Sequence, residues 1–317
     1  MTKNKMVSIV CAVHNEQLTI PLFYDRLKKV IKNLNYDFEL IFTNNRSTDN
    51  TLSVIEELSK KDPMVKVLTF SRNFGYQSSI QAGMTYAQGD CIVTIDVDCE
   101  DPPEMIPLFL ENWEKGYDIV YGIRTSRPES KFLIKMRNLF YKILRFTADT
   151  DIILNMAEFG LIADYVRDQI INNKNTFPFL RTEIAYSGYQ RFGIEYKREK
   201  RIAGETHYNF WRMTIFALGG ILSSSTFPFR LAVYMFPLVC LFNIGMLAGD
   251  IFLGGYFFKT LIVSDILYIN LLLATHGIYL ARIYKNGLDR PLYIVDWRLS
   301  SNELMIAKKV KDAKHEK

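Results

Sequence analysis

At 317 residues the chain is long enough for one large domain or two ordinary ones. A formal net charge of +5 is modest, and nucleic acid is not an expected partner. The four cysteines (Cys11, Cys91, Cys99, Cys240) form no C-x-x-C pair and there is no histidine cluster, which argues against a disulfide framework or a zinc site and fits a reducing compartment.

The first residues, Met1-Thr2-Lys3-Asn4-Lys5, run into a strand-like segment without the apolar core of a signal peptide, so a cytosolic start is expected. Met6 to Val13 is a strand-length apolar run that ends in His14-Asn15-Glu16. Leu18 to Leu34 has helical periodicity. A second apolar run, Phe38 to Thr43, ends in Asn44-Asn45-Arg46-Ser47-Thr48-Asp49, and a helix is expected over Thr51 to Lys60. Val65 to Phe70 predicts a third strand, ending in Ser71-Arg72-Asn73-Phe74-Gly75, with a helix from about Ser78 to Ala87. Strands alternating with helices imply an α/β fold with a mostly parallel sheet. Polar clusters at successive carboxyl ends are where such sheets bind ligands, and a nucleotide suits them.

The fourth run, Ile92-Val93-Thr94-Ile95, passes into Asp96-Val97-Asp98-Cys99-Glu100-Asp101, and Pro102-Pro103 stops the strand. Side chains at i and i+2 of a strand share a face, so Asp96 and Asp98, with Glu100 as a third, can converge. Hard oxygen ligands at a strand end suit Mg²⁺ or Mn²⁺, which keep open positions for phosphate oxygens. A solvated acidic turn is the competing reading of a bare D-x-D.

A fifth strand, Asp118 to Gly122, leads to Arg124 and Arg127. From Lys131 to Phe146 five basic residues and no acid accompany apolar residues at helical spacing, the pattern of a helix lying on a membrane surface; a core-packing helix with a basic face is the alternative. Leu231 to Gly249 is 19 residues without a charge, and Lys259 to Arg282 is apolar apart from Asp265. Each is long enough to cross a hydrocarbon core, and the flanking arginines and lysines put both termini in the cytosol. Buried soluble helices are the alternative. His207 to Thr226 is expected along the interface. The tail ending Lys308-Lys309-Val310-Lys311 reads as basic, touching anionic headgroups or serving as a disordered end. The expected division is 1–206 as a cytosolic α/β domain, 207–228 as an interfacial helix, 229–284 as two spans (about 230–251 and 260–282) and 285–317 as a cytosolic tail.

Six segments in order carry a resemblance: Val13-His14-Asn15-Glu16, Ser71 to Gly75, Ile95 to Asp98 with Asp101-Pro102-Pro103-Glu104, Gly116 to Arg124, Arg201-Ile202-Ala203-Gly204-Glu205-Thr206, and Arg290-Pro291-Leu292-Tyr293. With the two-span carboxyl-terminal part, they make the chain similar over about residues 6–295 to the polyprenyl-phosphate glycosyltransferases of family 2, the bactoprenol glucosyltransferases and dolichyl-phosphate-mannose synthase relatives. The resemblance implies a GT-A (Rossmann-like) nucleotide-sugar domain followed by a transmembrane hairpin. It also implies a nucleoside-diphosphate-sugar donor, with UDP-glucose as first guess, and undecaprenyl or dolichyl phosphate as acceptor. The product would be a lipid-linked sugar for cell-envelope glycan modification.

The resemblance further implies roles for particular residues. Asp98, Glu158 and Arg201 would be catalytic, with Mg²⁺ or Mn²⁺ on Asp96 and Asp98. Val13, Asn15, Glu16, Asn44, Asn45, Arg72, Asn73, Gly75, Asp96 and Val97 would bind the donor. Arg124, Arg127, Ser130 and Lys131 would grip the acceptor phosphate. The protein would sit in the bacterial inner membrane with its catalytic domain and both termini cytosolic, and a second copy, a flippase and a downstream glycosyltransferase are open as partners.

Several positions depart from the family's pattern. Asn44-Asn45 stands where Asp-Asp or Asn-Asp is usual, Glu100 replaces a Gln, Ala157-Glu158-Phe159-Gly160 replaces Gly-Asp-Phe-Arg, and His207 replaces a Lys. Glu158 is expected to orient the sugar hydroxyls or the basic acceptor cluster, the alternative being a plain ion pair. A processive polysaccharide synthase, or a catalytically silent scaffold that binds donor or lipid, are the other readings of the whole chain.

Overall fold

Val7, Ile9, Val10, Cys11 and Val13 of the first apolar run are all buried, so both faces of that strand are covered, as in a sheet sandwiched by helices. The structure is a computed structural model and describes residues 4–125, 142, 156–173, 179–203, 225–253 and 257–306. Strand β1 (Met6–Val13) is followed by α1 (Thr19–Ile31), β2 (Asp37–Asn44), α2 (Thr51–Lys61), β3 (Val65–Thr69), α3 (Tyr76–Tyr86) and β4 (Cys91–Thr94). A turn of 3₁₀-helix at Pro103–Met105 leads into α4 (Ile106–Glu114) and β5 (Ile119–Arg124). Next come β6 (Met156–Ala163), α5 (Asp164–Ile171), α6 (Leu180–Ser187) and β7 (Arg191–Tyr196).

The sheet order is β3-β2-β1-β4-β6-β5-β7. The β1–β2, β2–β3, β1–β4 and β5–β7 pairings are parallel, whereas β6 runs antiparallel to both β4 and β5. The sheet is therefore mixed, and α4, β6, α5, α6 and β7 are elements that the periodicity did not reveal. Helix α1 buries Ile20, Phe23, Leu27 and Ile31 at helical spacing, and Phe23 meets Phe42 edge-on at 6.5 Å. On the opposite face α3 lies so close to β1 that a Cβ at Gly83 would stand 2.2 Å from Val10. Gly160 has a similar reason. A side chain there would meet the Val120 carbonyl at 2.8 Å, so an arginine has no room where β6 threads between β4 and β5.

Two long apolar helices follow, α7 (Phe227–Leu253) and α8 (Phe258–Gly287). They overrun the expected spans at both ends. None of the residues in their most apolar windows is buried, the reverse of a soluble core helix. They pack as a hairpin. Asn243 Nδ2 donates to both Asp265 oxygens at 2.9 and 3.2 Å, and Phe229 packs on Tyr279 with centroids 4.0 Å apart.

The described part of the expected tail departs from expectation. After α8 the chain returns to the sheet, where Val295 forms an antiparallel bridge with Phe70 along β3's free edge. Ser71 donates its N–H to the Ile294 carbonyl, Asp296 to that of Thr69 and Ser301 to that of Val67, at 2.8–2.9 Å. Leu304 is fully buried. Residues 291–304 thus cover a sheet edge whose N–H and C=O groups would otherwise lack partners. Lys308–Lys311, the helix expected over 131–146 and the interfacial segment 207–224 lie outside the described residues.

Candidate active site

The carboxyl ends of β1, β2, β3 and β4 point the same way because these strands are mutually parallel. Three of the chain's non-glycine residues in left-handed backbone conformation sit in the loops there: Asn15 (φ 59°), Arg46 (φ 57°) and Cys99 (φ 57°). Such conformations cost energy and concentrate at functional turns. Cross-links between the loops hold them. Asn15 Oδ1 accepts from the Thr48 N–H at 2.8 Å, and the Asn15 N–H donates to Ser47 Oγ at 3.0 Å. Asn45 Nδ2 donates to Asn73 Oδ1 at 3.0 Å, while Asn45 Oδ1 accepts from the Phe74 N–H at 2.8 Å. Asn73 Oδ1 also takes the N–H of Gly75, whose φ of 93° suits glycine.

These bonds engage part of the expected donor set inside the protein. Asn44 and Asn45 are buried, and Asn44 Oδ1 accepts from the Ser47 N–H at 3.0 Å. Their amides shape the loops. Val13 and Val97 likewise turn their side chains into the core. Asn15, Glu16, Arg72, Asn73 and Gly75 remain at the surface or partly so, with Arg72 stacked 4.0 Å over the Phe74 ring.

Asp96 and Asp98 lie just beyond β4, which ends at Thr94, so ladder pairing does not align them. The alternation of burial nevertheless continues through Ile95, Val97 and Cys99, leaving Asp96, Asp98 and Glu100 on the accessible side. Asp96 Oδ1 accepts from the Tyr76 hydroxyl at 2.8 Å. Burial, then the charges of Asp98 and Asp101, push the Asp96 carboxyl up to about 7. Asp98 is also raised, by burial first, despite Arg201. Arg201 joins two strand ends: it bonds Glu16 at 2.5 Å and stands 3.6 Å from Asp98. Its loop is tied to the acidic turn by the Ile202 N–H, which donates to the Asp98 carbonyl at 3.0 Å.

Among the described residues no group of three or more acids, histidines or cysteines is set to hold an ion. The donor chemistry nevertheless fits a hard divalent cation. Two crowded carboxylates, one kept protonated to about pH 7 by burial and by the neighbouring acids, are what such an ion would relieve.

Glu158 lies on β6 beside this cluster. Its Oε1 accepts from Gln77 Nε2 at 3.0 Å and lies 3.4 Å from Arg181. The ion-pair alternative for Glu158 is therefore present. Tyr76 and Gln77, which hold Asp96 and Glu158, went unrecognised in the sequence; their only signal was a place directly after Arg72-Asn73-Phe74-Gly75, where α3 begins.

Arg124, expected at the acceptor phosphate, has its guanidinium paired internally: Nη2 bonds Asp101 Oδ2 at 2.7 Å and Nε bonds the Tyr196 hydroxyl at 3.1 Å. Tyr196 in turn donates to Asp101. The pair is nearly shut off from water, with 10% and 2% of the two side chains exposed. Arg198 pairs with Glu100, the residue expected near the metal. Arg127, Ser130 and Lys131 lie outside the described residues.

With this geometry in place, the comparisons with known proteins can be stated. The model of the family "Glycosyl transferase family 2" matches residues 8–179. An uncharacterized glycosyltransferase of Bacillus subtilis (strain 168), YkcC, is 38% identical over 311 residues, covering 93% of this chain and 94% of its own. A prophage bactoprenol glucosyl transferase homolog of Escherichia coli (strain K12) is 33% identical, with 91% and 98% covered. The bactoprenol glucosyl transferase of Shigella phage SfV is also 33% identical, with 91% and 97% covered. Among solved structures, glucosyl-3-phosphoglycerate synthase from Mycobacterium tuberculosis gives a TM-score of 0.49 at 14% identity, over 69% of this chain and 79% of that one. The family match covers more than half the chain and the relatives more than nine-tenths of it: this chain belongs to glycosyl transferase family 2 and is a glycosyltransferase with a GT-A-type sheet.

Proposed function

We propose that the protein transfers a single sugar from a nucleotide-sugar donor, UDP-glucose as first candidate, to a polyprenyl phosphate at a membrane. The observation that carries this reading is the meeting, at one sheet edge, of donor loops, a charge-crowded Asp96–Asp98 pair and Arg201 in a chain that also has an apolar hairpin. Relatives of nearly the same extent bear the name bactoprenol glucosyl transferase, which supports a lipid phosphate as acceptor. The hairpin supports placing the protein in a membrane, the bacterial inner membrane with its sheet domain cytosolic. The division at about residues 206, 228 and 284 is part of the same proposal.

In the proposed reaction an acceptor phosphate oxygen attacks the anomeric carbon, the bond from that carbon to the donor diphosphate breaks, and the configuration inverts. No strong base is required, because a phosphate monoester is already largely ionised at neutral pH, its second pKa being about 6. The chain's own task is positioning and charge compensation. Asp96 and Asp98 would hold Mg²⁺ or Mn²⁺, which when bound supplies Lewis-acid stabilisation of the leaving diphosphate. Arg201, fixed between Glu16 and Asp98, presents a cation to donor or acceptor phosphate. Glu158, held by Gln77 and Arg181, orients sugar hydroxyls.

The test is a donor screen. Purified protein with undecaprenyl phosphate and Mg²⁺ or Mn²⁺ is offered UDP-, GDP-, CDP- and dTDP-sugars, and lipid-linked product is scored. One sugar per lipid from one donor class is expected. Polymer would point to a processive synthase, and no turnover with any donor would leave the protein a silent binder.

A further inference from the structure

The segment Arg290-Pro291-Leu292-Tyr293 stands out in the sequence, yet none of the chemistry above uses it. In the structure it begins the strap along β3, and the strap touches both loops assigned to the donor. Tyr293 stacks on Phe70 with centroids 5.3 Å apart and planes 14° from parallel. Phe70 in turn packs edge-on to Phe74, 5.7 Å away, inside the Ser71–Gly75 loop. Three residues on, the buried Asp296 carboxylate, held by both Arg298 Nε and Nη2 at 2.9 and 2.8 Å, also lies 3.9 Å from Arg46, in the loop after β2. These two loops are the ones joined by the Asn45–Asn73 bond.

We propose that Tyr293 and Asp296 are positioning residues for the donor: the strap clamps the loops after β2 and β3 from outside, and nucleotide affinity depends on it. The inference rests on the reading of those loops as the donor site. The contacts are indirect: the strap reaches the loop after β3 through Phe70 and the loop after β2 through Arg46. It leaves α8 only six residues before Tyr293, with Gly287 the last helical residue and Arg290-Pro291-Leu292 directly preceding the ring. Donor-loop order is thereby tied to the end of the apolar hairpin.

The experiment measures nucleotide binding by the full-length protein in detergent, with Mn²⁺, by calorimetric titration of UDP, GDP, CDP and dTDP, alongside donor and acceptor KM. Tyr293→Leu should weaken the best-bound nucleoside diphosphate and raise donor KM about fivefold, within the range by which residues outside a site modulate it. Acceptor KM should not move, and Tyr293→Phe, which keeps the ring, should restore wild-type binding. Asp296→Asn, a milder change that keeps the segment's size, should weaken binding by about twofold and decides the matter if Tyr293→Leu does not fold. Unchanged nucleotide affinity in both variants, or losses confined to kcat or to melting temperature, would overturn the inference. Failure of the wild type itself to bind any of the four nucleotides would overturn the donor-site reading, and this inference with it.

Discussion

Two sets of carboxylates stand within six residues of each other and have opposite surroundings. Asp101 is saturated: Arg124, Tyr196 and Arg198 surround it, and it is 1% exposed. Asp96 has a neutral tyrosine hydroxyl and three nearby acids, and Asp98 has one guanidinium at 3.6 Å that is shared with Glu16. The contrast separates roles that the sequence Asp96-Val97-Asp98-Cys99-Glu100-Asp101 leaves equal. A carboxylate whose charge is fully met inside the protein holds the fold, and one whose charge is not met is available to a ligand.

Breaking the saturated set should have the largest effect, and on stability. Arg124→Ala leaves Asp101 buried without its main partner and should lower stability by about 3–5 kcal/mol. A thermal scan of detergent-solubilised protein reads this as a large fall in midpoint. If Arg124→Ala instead kept its midpoint and raised acceptor KM alone, the residue would belong to the acceptor site after all.

Breaking the unsaturated set should spare the fold and stop the chemistry. Asp98→Ala should keep a wild-type melting curve and lose at least about a hundredfold in kcat, with Asp96→Ala similar or slightly milder. Near-normal turnover of Asp98→Ala across a Mn²⁺ titration would refute the metal assignment.

Glu158 lies between the two extremes, paired with Arg181 but facing Asp96. Glu158→Gln keeps an acceptor for Gln77 and loses the charge, so kcat should fall by about tenfold with the shape of the pH–rate profile intact. Loss of the acidic limb in that variant alone would make Glu158 a proton acceptor.

The smallest effect sharpens the comparison through pH. With EDTA present, folded Asp96 keeps its proton to about pH 7, whereas an unfolded aspartate releases it at about 4. Between those values the folded state binds more protons, so stability must fall as pH rises through that window and stay low above it. Melting midpoints at pH 5 and pH 8 should therefore differ more for wild type than for Asp96→Asn, and Mn²⁺ at pH 8 should recover the wild type only. Equal pH slopes in the two proteins would mean that Asp96 is not the crowded group.

The sequence by itself determined the first five strands, the three helices between the first four and the two long apolar helices, because each is a local pattern: a short apolar run, a 3.6-residue period, or a long stretch without charge. It also brought out the acidic strand end, since few residue types serve metal chemistry, while Arg201 was pointed to only by the family resemblance. Tertiary structure decided the rest. Strand β6 pairs antiparallel with residues some 40 and 70 positions away in the register Ile119↔Ile162 and Cys91↔Ala163, and no local period encodes such a partner. Arg124 read as a free cation until Asp101 and Tyr196, 23 and 72 residues distant, closed around it. The residues after α8 read as a basic tail because their backbone N–H groups and the Ser300 and Ser301 hydroxyls bond to β3, more than 200 residues earlier in the chain. Which charges are met, and which backbone edges are covered, depends on neighbours in space, and those exist only once the chain has folded.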